Sequence, residues 1–515
     1  MPEYLAPGVY IEEVSSGLRP IEGVSTSNAG FAGGTARGPM DVRLVTSFPE
    51  FERLYGGVID TNISFLPFAV RGFFENGGRR AFVARAYSPD TGQADLGTAA
   101  IGDLTLTAIG PGDWPQRVRI WVEENEPTGQ NDTRTTFRMT LAYYDTDEDL
   151  PENQATPDPD MATSLRRASY VEEFALISNE RTRQDFAETV LKSGSNLVRG
   201  AFGSTPPGAL AATGGTPVPM IGGTVQTTTA RPDIQDALNR LGEIDEVNIL
   251  CAPDQGRDLT IATDLVNQCE RLRDRFAVLQ GQANFTQPSQ FQAVLPVSTF
   301  CAVYHPWIRV FDPTVADTVV VPPAGHVAGV YARTDIQRGV HKAPANEALR
   351  GLYLREIGNE RTLSQMINRQ RHDIFNPANI NIIRDFRSDG RGIRVFGART
   401  FSADPEWRYV SVRRLFLFIE ESVEEGTQWV VFEPNDDATR AAVRRNVAAF
   451  LLGVWRSGAL AGLTQDEAFF VRCDRETTTQ ADIDAGRLIC LVGVAPVKPA
   501  EFVIFRFSQK TGDAE

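Results

Sequence analysis

The fold is decided by residues 426–458, which read GTQWVVFEPNDDATRAAVRRNVAAFLLGVWRSG. β-Branched and aromatic side chains fill the four positions from Trp429 to Phe432, a composition typical of a covered strand. Pro434 ends this run, because proline cannot donate to the next ladder bond. The segment therefore predicts a buried strand, a capped turn and one long helix, all part of the core of an α/β domain.

The long helix is predicted to begin after Asn435, whose side chain can cap it, with Asp436 and Asp437 where the helix dipole favours acids. Gly458 is the predicted C′ residue at its end. Arginines lie largely off the apolar face, at Arg440, Arg444 and Arg445. The helical period predicts one buried face, made of Val443, Val447, Phe450, Leu451, Val454 and Trp455.

A second helix is predicted at residues 410–425, with charges that oppose its dipole. Arg413 and Arg414 stand in the first turn and four glutamates in the last turns, whereas the dipole favours the reverse; each exposed charge so placed costs about 0.3–1 kcal/mol. We expect a surface outside the helix to use these glutamates; the alternative is that they face solvent or pair with arginines of the same chain. The glutamates are Glu420, Glu421, Glu424 and Glu425, and the predicted inward residues are Val412, Leu415, Phe416, Ile419 and Val423.

Helical and strand-like segments alternate through residues 231–392. The apolar pattern predicts helices at 233–241, 258–272 and 361–371 and strands at 247–251, 276–279 and 300–310. Residues 1–90 add predicted strands at 9–14, 29–32 and 82–87, a helix after a capping box at 47–50, and a helix at 63–76. This alternation predicts a multidomain α/β (mixed α+β) chain whose mixed sheet is covered by helices.

Residues 91–230 differ in composition, being rich in Thr, Gly, Asp and Pro. They predict strands at 104–109, 118–123 and 135–144, a helix at 186–198 and a linker at 203–229. We interpret them as a β-rich surface insertion on the outer side of the molecule. The chain then divides into an N-terminal arm with the first part of the core (1–90), the insertion (91–230), a middle α/β domain (231–392) and a C-terminal domain (393–515).

Composition limits the possible functions. The formal net charge of −15 argues against nucleic acid as a partner, since phosphate binding needs a basic surface. No apolar run is long enough to span a membrane, and the first residues lack the basic and apolar regions of a secretory signal, so synthesis and assembly in the cytoplasm are expected. The five cysteines lack metal-knuckle spacing and are predicted to be buried free thiols.

Motifs for catalysis are missing from the sequence. It contains no GxxxxGK[ST], HExxH, CxxC or GxSxG pattern. His326 and His341 lie near Asp335, which leaves open a metal or acid/base site, but hydrogen-bonded structural roles are favoured for these histidines and for His305 and His372. We therefore predict no catalytic residue, no metal and no cofactor.

Four separated blocks of the chain resemble contractile tail sheath proteins. They are YLAPGVYIEEVSSGLRPIEGVSTSNAGFAG near the start, PPAGHVAGVYARTDIQRGVHKAPAN in the middle, the segment that opens this section, and its flanks from GIRVFGARTF to EFVIFRF. The resemblance covers residues 1–90 and 235–510. A single chain that carries both the N-terminal and C-terminal blocks resembles the sheaths of phage tails, tailocins and extracellular contractile injection systems more than type VI sheaths, which are usually split over two chains.

The resemblance implies a structural subunit that stacks in hexameric rings around an inner tube and contracts to drive the tube through a target envelope. Its implied partners are further copies of itself, the inner tube protein, and baseplate and terminal cap proteins, with no nucleic acid and no membrane insertion. The alternatives are an α/β enzyme or a surface ligand-binding module without a recognisable active-site motif.

The resemblance also implies two sets of assembly residues. Glu420, Glu421, Glu424 and Glu425 would face the inner tube. Short apolar segments at the two termini would be donated as strands to neighbouring subunits; they are Gly8, Val9, Tyr10, Ile11, Glu12, Glu13 and Val14, and Glu501, Phe502, Val503, Ile504, Phe505, Arg506 and Phe507.

Overall fold

The computed structural model of the chain describes residues 20–88, 96–126, 135–154, 158, 160–226, 228–353 and 362–506. These residues form two compact units. The larger unit comprises residues 27–334 and 344–408, and the smaller unit comprises the described parts of residues 1–26, 335–343 and 409–515.

The described strands are, in chain order, β1 Ala29–Gly33, β2 Arg43–Val45, β3 Ala81–Arg85, β4 Thr98–Ile101, β5 Leu104–Ala108, β6 Val118–Glu124, β7 Phe137–Tyr143, β8 Tyr170–Ile177, β9 Val198–Phe202, β10 Val218–Pro219, β11 Ile249–Cys251, β12 Phe276–Gln280, β13 Cys301–His305, β14 Ile308–Asp312, β15 Asp317–Val321, β16 Glu347–Ala348, β17 Ile380–Phe386, β18 Gly392–Val395, β19 Phe469–Arg472 and β20 Leu491–Val494.

The described α-helices are α1 Phe48–Tyr55, α2 Leu66–Glu75, α3 Met161–Leu165, α4 Ala187–Gly194, α5 Arg231–Leu241, α6 Ile261–Leu272, α7 Pro288–Gln292, α8 Ala324–Arg338, α9 Arg369–Phe375, α10 Val410–Thr427, α11 Asp437–Arg456, α12 Gln465–Ala468 and α13 Gln480–Asp484.

A nine-stranded sheet of order β16-β18-β17-β13-β12-β11-β1-β3-β2 is the centre of the larger unit. Neighbours from β17 to β3 run parallel, and the antiparallel strands β18, β16 and β2 lie at its sides. Every residue of β1, β3, β11, β12 and β13 is buried, as expected for parallel strands covered on both faces. The predicted mixed α/β class is confirmed.

Helices cover both faces of this sheet. Ile234 and Leu238 of α5 and Leu265 of α6 join its main hydrophobic core. Elsewhere, Phe73 of α2 meets Phe31 edge-on at 5.4 Å, and the Tyr331 hydroxyl of α8 lies 2.7 Å from that of Tyr304. The predicted helix at 233–241 and strands at 247–251 and 276–279 are confirmed to within two residues at each end.

Two predictions in the larger unit were wrong. The strand predicted at 300–310 is two strands, because Pro306 cannot donate a ladder bond and β14 turns away to pair with β15. The helix predicted at 361–371 begins only at Arg369, after an Asn368 cap, because the preceding residues are extended: Arg309 donates to the Thr362 carbonyl oxygen at 2.8 Å. The strand predicted at 9–14 lies outside the described residues.

The β-rich segment predicted at 91–230 folds on two sheets, one of order β10-β6-β7-β8 and one of order β4-β5-β9. Its strands share a hydrophobic core that includes Trp114, Met139 and Leu191. The predicted strands at 104–109, 118–123 and 135–144 are confirmed as β5, β6 and β7. The predicted helix at 186–198 is shorter, because α4 ends at Gly194 and the chain turns into β9 beside β5.

The segment leaves and re-enters the rest of the larger unit at one place. The Ser88 hydroxyl accepts the Ala230 N–H at 2.8 Å and donates to Asp233 at 2.5 Å. Two buried arginines bridge the segment to the residues around it: Arg85 donates to the Gly38 and Pro111 carbonyl oxygens, and Arg37 lies 4.3 Å from the centre of the Tyr143 ring.

The smaller unit is built on α10 and α11, whose inward faces share one core with β19. The predicted helix at 410–425 is confirmed, and Val412, Leu415 and Ile419 are buried in it. Ser422 of α10 accepts the Val24 N–H at 3.1 Å, which fixes the described N-terminal segment along this helix. The C-terminal stretch of the unit begins at Tyr409 and not at the predicted boundary of 393, because residues 392–395 form β18 of the large sheet.

The strand predicted from Trp429 to Phe432 was wrong. α10 runs on to Thr427 and closes in a 3-10 turn at Gln428–Val430, and Phe432 adopts a left-handed φ of 69° with its side chain fully exposed. A four-residue apolar run is too short to separate a strand from a link between helices.

The start of α11 also differs from prediction. Asp436, not Asn435, caps it by accepting the Thr439 N–H at 2.8 Å. The Asn435 side chain instead accepts from Arg440 at 2.7 Å, which holds Arg440 buried against expectation. Gly458 ends the helix with a φ of 83°, as predicted.

We predict that the β-rich segment can be removed without unfolding the sheet beneath it. Replacing residues 91–228 by a short Gly/Ser link is expected to leave a folded, monodisperse protein. Ser88 and Ala230 are already in hydrogen-bond contact, so a short link can join them. Arg37 and Arg85, which are buried in the intact chain, would become exposed to water, so neither charge would be left buried without a partner. Circular dichroism and light scattering measure this. As a control, replacing only residues 91–150 splits β7 from β8 and should aggregate. Aggregation of both variants would contradict the prediction.

Candidate assembly site

The arginines at the start of α10 are buried and paired within the chain. Arg414 donates to both carboxylate oxygens of Asp335, at 3.1 and 2.7 Å, and to the Thr26 carbonyl oxygen at 2.7 Å. The side chains of Arg414 and Asp335 are only 3% and 2% exposed. Burial raises the pKa of Asp335, and the Arg414 guanidinium counteracts that rise. This pair joins residues 335–343 to α10 within the smaller unit.

The acidic end of α10 is different. Glu420 lies 3.6 Å from Arg413, so part of the predicted charge misfit is balanced inside the helix, in agreement with the alternative that the sequence left open. Glu424 and Glu425 are exposed in the last turns, where the helix dipole disfavours acids. Glu421 is half-buried. That these four glutamates face a tube stays a prediction, and Glu424 and Glu425 are the two best placed for it.

β19 and β20 form a two-stranded antiparallel sheet whose outer edges have no strand partner in the described part of the chain. The Ala495 N–H donates to the Ala468 carbonyl oxygen at 2.8 Å, so the main-chain groups of Gly493 also face β19. The main-chain N–H and C=O groups of Val492 and Val494 therefore point away from β19, because successive residues of a strand direct these groups to opposite sides. Each edge presents a row of main-chain donors and acceptors to a further strand.

The described part of the predicted C-terminal strand, residues 501–506, lies in neither a helix nor a strand. Phe502, Val503, Ile504 and Phe505 are 70–76% exposed. The segment begins where the Tyr409 hydroxyl donates to Glu501 at 3.3 Å. Phe507 and the N-terminal donor residues, Gly8 to Val14, lie outside the described residues.

Large apolar side chains are exposed across the smaller unit. A soluble monomer rarely exposes so many, and clusters of this kind mark surfaces that bind protein. They are Ile336, Val431, Phe432, Leu463, Phe470, Leu491, Val492, Phe502, Val503, Ile504 and Phe505.

The histidines carry no recognisable chemistry. Burial lowers the pKa of His305 and of His326 to about 3, so both are neutral, and His305 stacks on Phe375 with ring centres 5.2 Å apart. Asp335 is occupied by Arg414. Within the described ranges no group of three or more His, Cys, Asp and Glu could hold a metal ion, and no described helix is long and apolar enough to cross a membrane.

The cysteines at positions 251, 269, 301 and 473 are buried and Cys490 is partly exposed, and all five are free thiols, as predicted. Cys473 and Cys490 lie at matching positions just beyond the ends of β19 and β20. This proximity could not be predicted from the sequence, because the two residues are separated by a loop that carries α13.

Two protein-family models match the chain: the phage tail sheath protein central domain over residues 228–401 and the phage tail sheath C-terminal domain over residues 402–510. Together they span more than half of it. A prophage major tail sheath protein of Pseudomonas aeruginosa is 25% identical over 291 residues, 56% of this chain and 71% of that protein. The tail sheath protein of Vibrio phage KVP40 is 26% identical over 244 residues, 46% of this chain but 34% of that protein.

Solved structures agree in fold. The sheath of the PVC extracellular contractile injection system, in the contracted state, matches with a TM-score of 0.59 and 23% identity over 99% of both chains. The helical sheath of the anti-feeding prophage, also contracted, matches with a TM-score of 0.58 and 23% identity over 98% of this chain and 100% of that one.

We predict that the smaller unit depends on the Arg414–Asp335 pair. Asp335→Asn leaves the Arg414 charge buried without its partner and should lower the free energy of unfolding by about 3–5 kcal/mol. The double variant Asp335→Leu/Arg414→Met removes both charges and should recover most of that loss, because apolar replacements of buried ion pairs are often neutral. Urea unfolding followed by tryptophan fluorescence measures both. A single variant as stable as wild type would show that the pair is dispensable.

Proposed function

Because the chain belongs to the phage tail sheath family, whose central and C-terminal domain models it matches, we propose that its copies stack as hexameric rings into a contractile sheath around an inner tube. The chain is a structural subunit of a phage tail or tail-like particle and not an enzyme. The sheath assembles in the cytoplasm, shortens and widens on a baseplate signal, and drives the tube through a target envelope.

The observation that carries this proposal is the open sheet of β19 and β20 in a unit rich in exposed apolar side chains. An unpaired apolar edge is an aggregation hazard unless another chain completes it. A strand from a neighbour satisfies the main-chain groups of Val492 and Val494 by β-augmentation. Since donor and acceptor are different surfaces, the contact is heterologous and builds an open helical array.

The two chain ends supply the donors. Phe502, Val503, Ile504 and Phe505 form an apolar, exposed run outside any helix or strand, and this run is the C-terminal donor. The N-terminal donor, Gly8 to Val14, precedes a segment that is fixed on α10 through Val24 and Thr26. Two donors and two open edges match in number, so each subunit gives two strands and receives two. The donated strands keep subunits connected while the rings rotate and slide.

The energy for contraction comes from better packing between subunits. The sequence has no nucleotide-binding motif that would couple firing to hydrolysis. About 5.5 kcal/mol moves a two-state equilibrium from 1:99 to 99:1. In a coupled array each subunit needs to contribute only a small fraction of this free energy, because the contributions of many subunits add up to shift the whole sheath to the contracted state.

The acidic end of α10 faces the inner tube and meets a basic surface there. The contact is weak per subunit, since exposed ion pairs contribute about 0–1 kcal/mol each, and this weakness lets the sheath release the tube. Its main effect is to fix register during assembly. The β-rich segment at 91–230 lies on the outer wall, where its own core and solvated loops leave the ring contacts undisturbed. Baseplate and cap proteins bind the two ends of the sheath; in support of a baseplate partner, a similar chain occurs in the solved anti-feeding prophage baseplate.

We predict that sheath assembly requires both chain ends. Deleting residues 1–16 or residues 500–515 should give folded subunits that do not polymerise, because each deletion removes a donated strand. A finer test uses Ile504→Pro, which removes one main-chain donor, against Ile504→Ala, which keeps it. Sedimentation and negative-stain microscopy of overexpressed protein should find cylinders for wild type and Ile504→Ala only. Normal cylinders from either deletion rule out strand donation at that end.

We predict that reversing Glu424 and Glu425 to lysine prevents assembly around the tube. The helix itself should be at least as stable, because lysine at its C-terminal end suits the dipole by about 0.3–1 kcal/mol per charge. Co-expression with the inner tube protein should then give empty contracted sheaths in place of extended, tube-filled particles. The matched control is Glu433→Lys/Glu476→Lys, which changes the net charge equally at other exposed positions of the unit. If the Glu424/Glu425 variant still gives extended, tube-filled particles at normal yield, this helix does not hold the tube.

A further inference from the structure

Cys473 and Cys490 face each other across the end of the β19–β20 hairpin. The register pairs Phe469 with Val494 and Arg472 with Leu491, so the next pair outward is Cys473 with Cys490. The Ala495 N–H donates to the Ala468 carbonyl oxygen, so Ala468 and Ala495 form a hydrogen-bonded pair. Hydrogen-bonded and non-hydrogen-bonded pairs alternate along an antiparallel ladder, so Arg472 and Leu491 also form a hydrogen-bonded pair. The two cysteines therefore take a non-hydrogen-bonded position, where side chains approach most closely.

This position fits a disulfide. Opposed residues at a non-hydrogen-bonded pair have Cα atoms about 4.5 Å apart, and disulfides span Cα separations of about 4.4–6.8 Å. The two thiols already interact: hydrogen bonding from Cys490 lowers the pKa of Cys473, and the guanidinium groups of Arg440 and Arg444 act in the same direction. The same interaction raises the pKa of Cys490.

Access to the two thiols differs. Cys473 is only 2% exposed, whereas Cys490 is partly exposed. The three other cysteines are fully buried, and none of them is placed opposite another cysteine in a described strand pair. A disulfide in solution therefore reaches the Cys490 thiol first, and the Cys473 thiol is next to it in the interior.

We propose that Cys473 and Cys490 form an oxidisable pair that joins as a disulfide when the protein meets a disulfide such as oxidised glutathione. Cys490 reacts first although its pKa is raised, because Cys473 is buried and out of reach of glutathione. The Cys490 sulfur loses its proton and attacks one glutathione sulfur, which breaks the glutathione S–S bond and forms a mixed disulfide. The released glutathione thiolate takes up that proton. The Cys473 thiolate then attacks the Cys490 sulfur and forms the Sγ–Sγ bond. The second glutathione leaves and takes the proton of Cys473, so the protein loses two electrons and glutathione gains them.

The disulfide closes the loop of residues 474–489, which carries α13, at the connected end of the hairpin. Cross-linking a loop restricts the unfolded chain, so the oxidised hairpin resists opening. This inference does not depend on the proposed sheath assembly, since it concerns a single chain. It nevertheless lies in the hairpin that is proposed to receive donated strands, so oxidation would stiffen that acceptor.

The test is thiol mapping of the full chain, incubated with oxidised glutathione. Trypsin cleaves after Arg475 and Arg487, both exposed and both inside the loop. In the oxidised protein the peptides that contain Cys473 and Cys490 should stay joined until a reductant is added, and two fewer thiols should react with maleimide. The melting temperature of the smaller unit should rise on oxidation only in chains that keep both Cys473 and Cys490.

Two matched variants test the order of attack. Cys473→Ser should retain glutathione on Cys490, because the second thiol that displaces it is gone. Cys490→Ser should take up glutathione at least about tenfold more slowly, because the remaining thiol is buried. Cys301→Ser should oxidise like wild type. The proposal is overturned if wild type keeps all its thiols under oxidised glutathione or if the disulfide maps to any other pair.

Discussion

The open edges of the β19–β20 sheet are the constraint on which the assembly depends. A two-stranded sheet is marginal in water, and here its inner face is covered by α11 while its edges stay unpaired in the described chain. Main-chain groups at an edge can be satisfied by water, but the exposed Phe470, Leu491 and Val492 beside them cannot. The smaller unit therefore has a surface that is complete only when another strand covers it. The proposed strand exchange follows from this incompleteness more directly than from any single side chain.

A buried ion pair supports this unit from within. Arg414 lies in the first turn of α10, where the helix dipole disfavours a positive charge, and burial disfavours the charge of Asp335. The hydrogen bonds from Arg414 to Asp335 and to the Thr26 carbonyl oxygen compensate for both. These hydrogen bonds link Thr26, Asp335 and Arg414, which are far apart in sequence. The segment that leads to the N-terminal donor is therefore held in place at Thr26. The misfit of the arginines with the helix dipole is thus explained by the fold, whereas the misfit of Glu424 and Glu425 is not, so these two glutamates remain for the proposed contact with the tube.

The larger unit could be predicted from the sequence with fair accuracy, because strands buried on both faces leave continuous apolar runs such as FAVLQ at β12 and CAVYH at β13. α10 and α11 were also predictable from their period. The run from Trp429 to Phe432 was wrongly predicted as a strand because an apolar run does not show which of its residues are buried: Trp429 and Val430 pack against the core, whereas Val431 and Phe432 are exposed. The Arg414–Asp335 pair and the facing Cys473 and Cys490 could not be predicted, since they depend on tertiary contacts and on register across a loop. β8 was not predicted, because it lies at the edge of its sheet and several residues of its sequence YVEEFALI are exposed, so the sequence lacks a continuous apolar run.

The two kinds of proposed contact divide the work of contraction between them. A donated strand makes several main-chain hydrogen bonds, each contributing about 0.5–1.5 kcal/mol, and all of them would have to break together for a subunit to leave. Such contacts suit a tether that persists through the change of state. Exposed ion pairs contribute about 0–1 kcal/mol each and can be exchanged one at a time. The difference between the extended and contracted states should therefore lie in side-chain surfaces, such as the acidic end of α10 and the exposed Phe432, while the strand pairing stays constant.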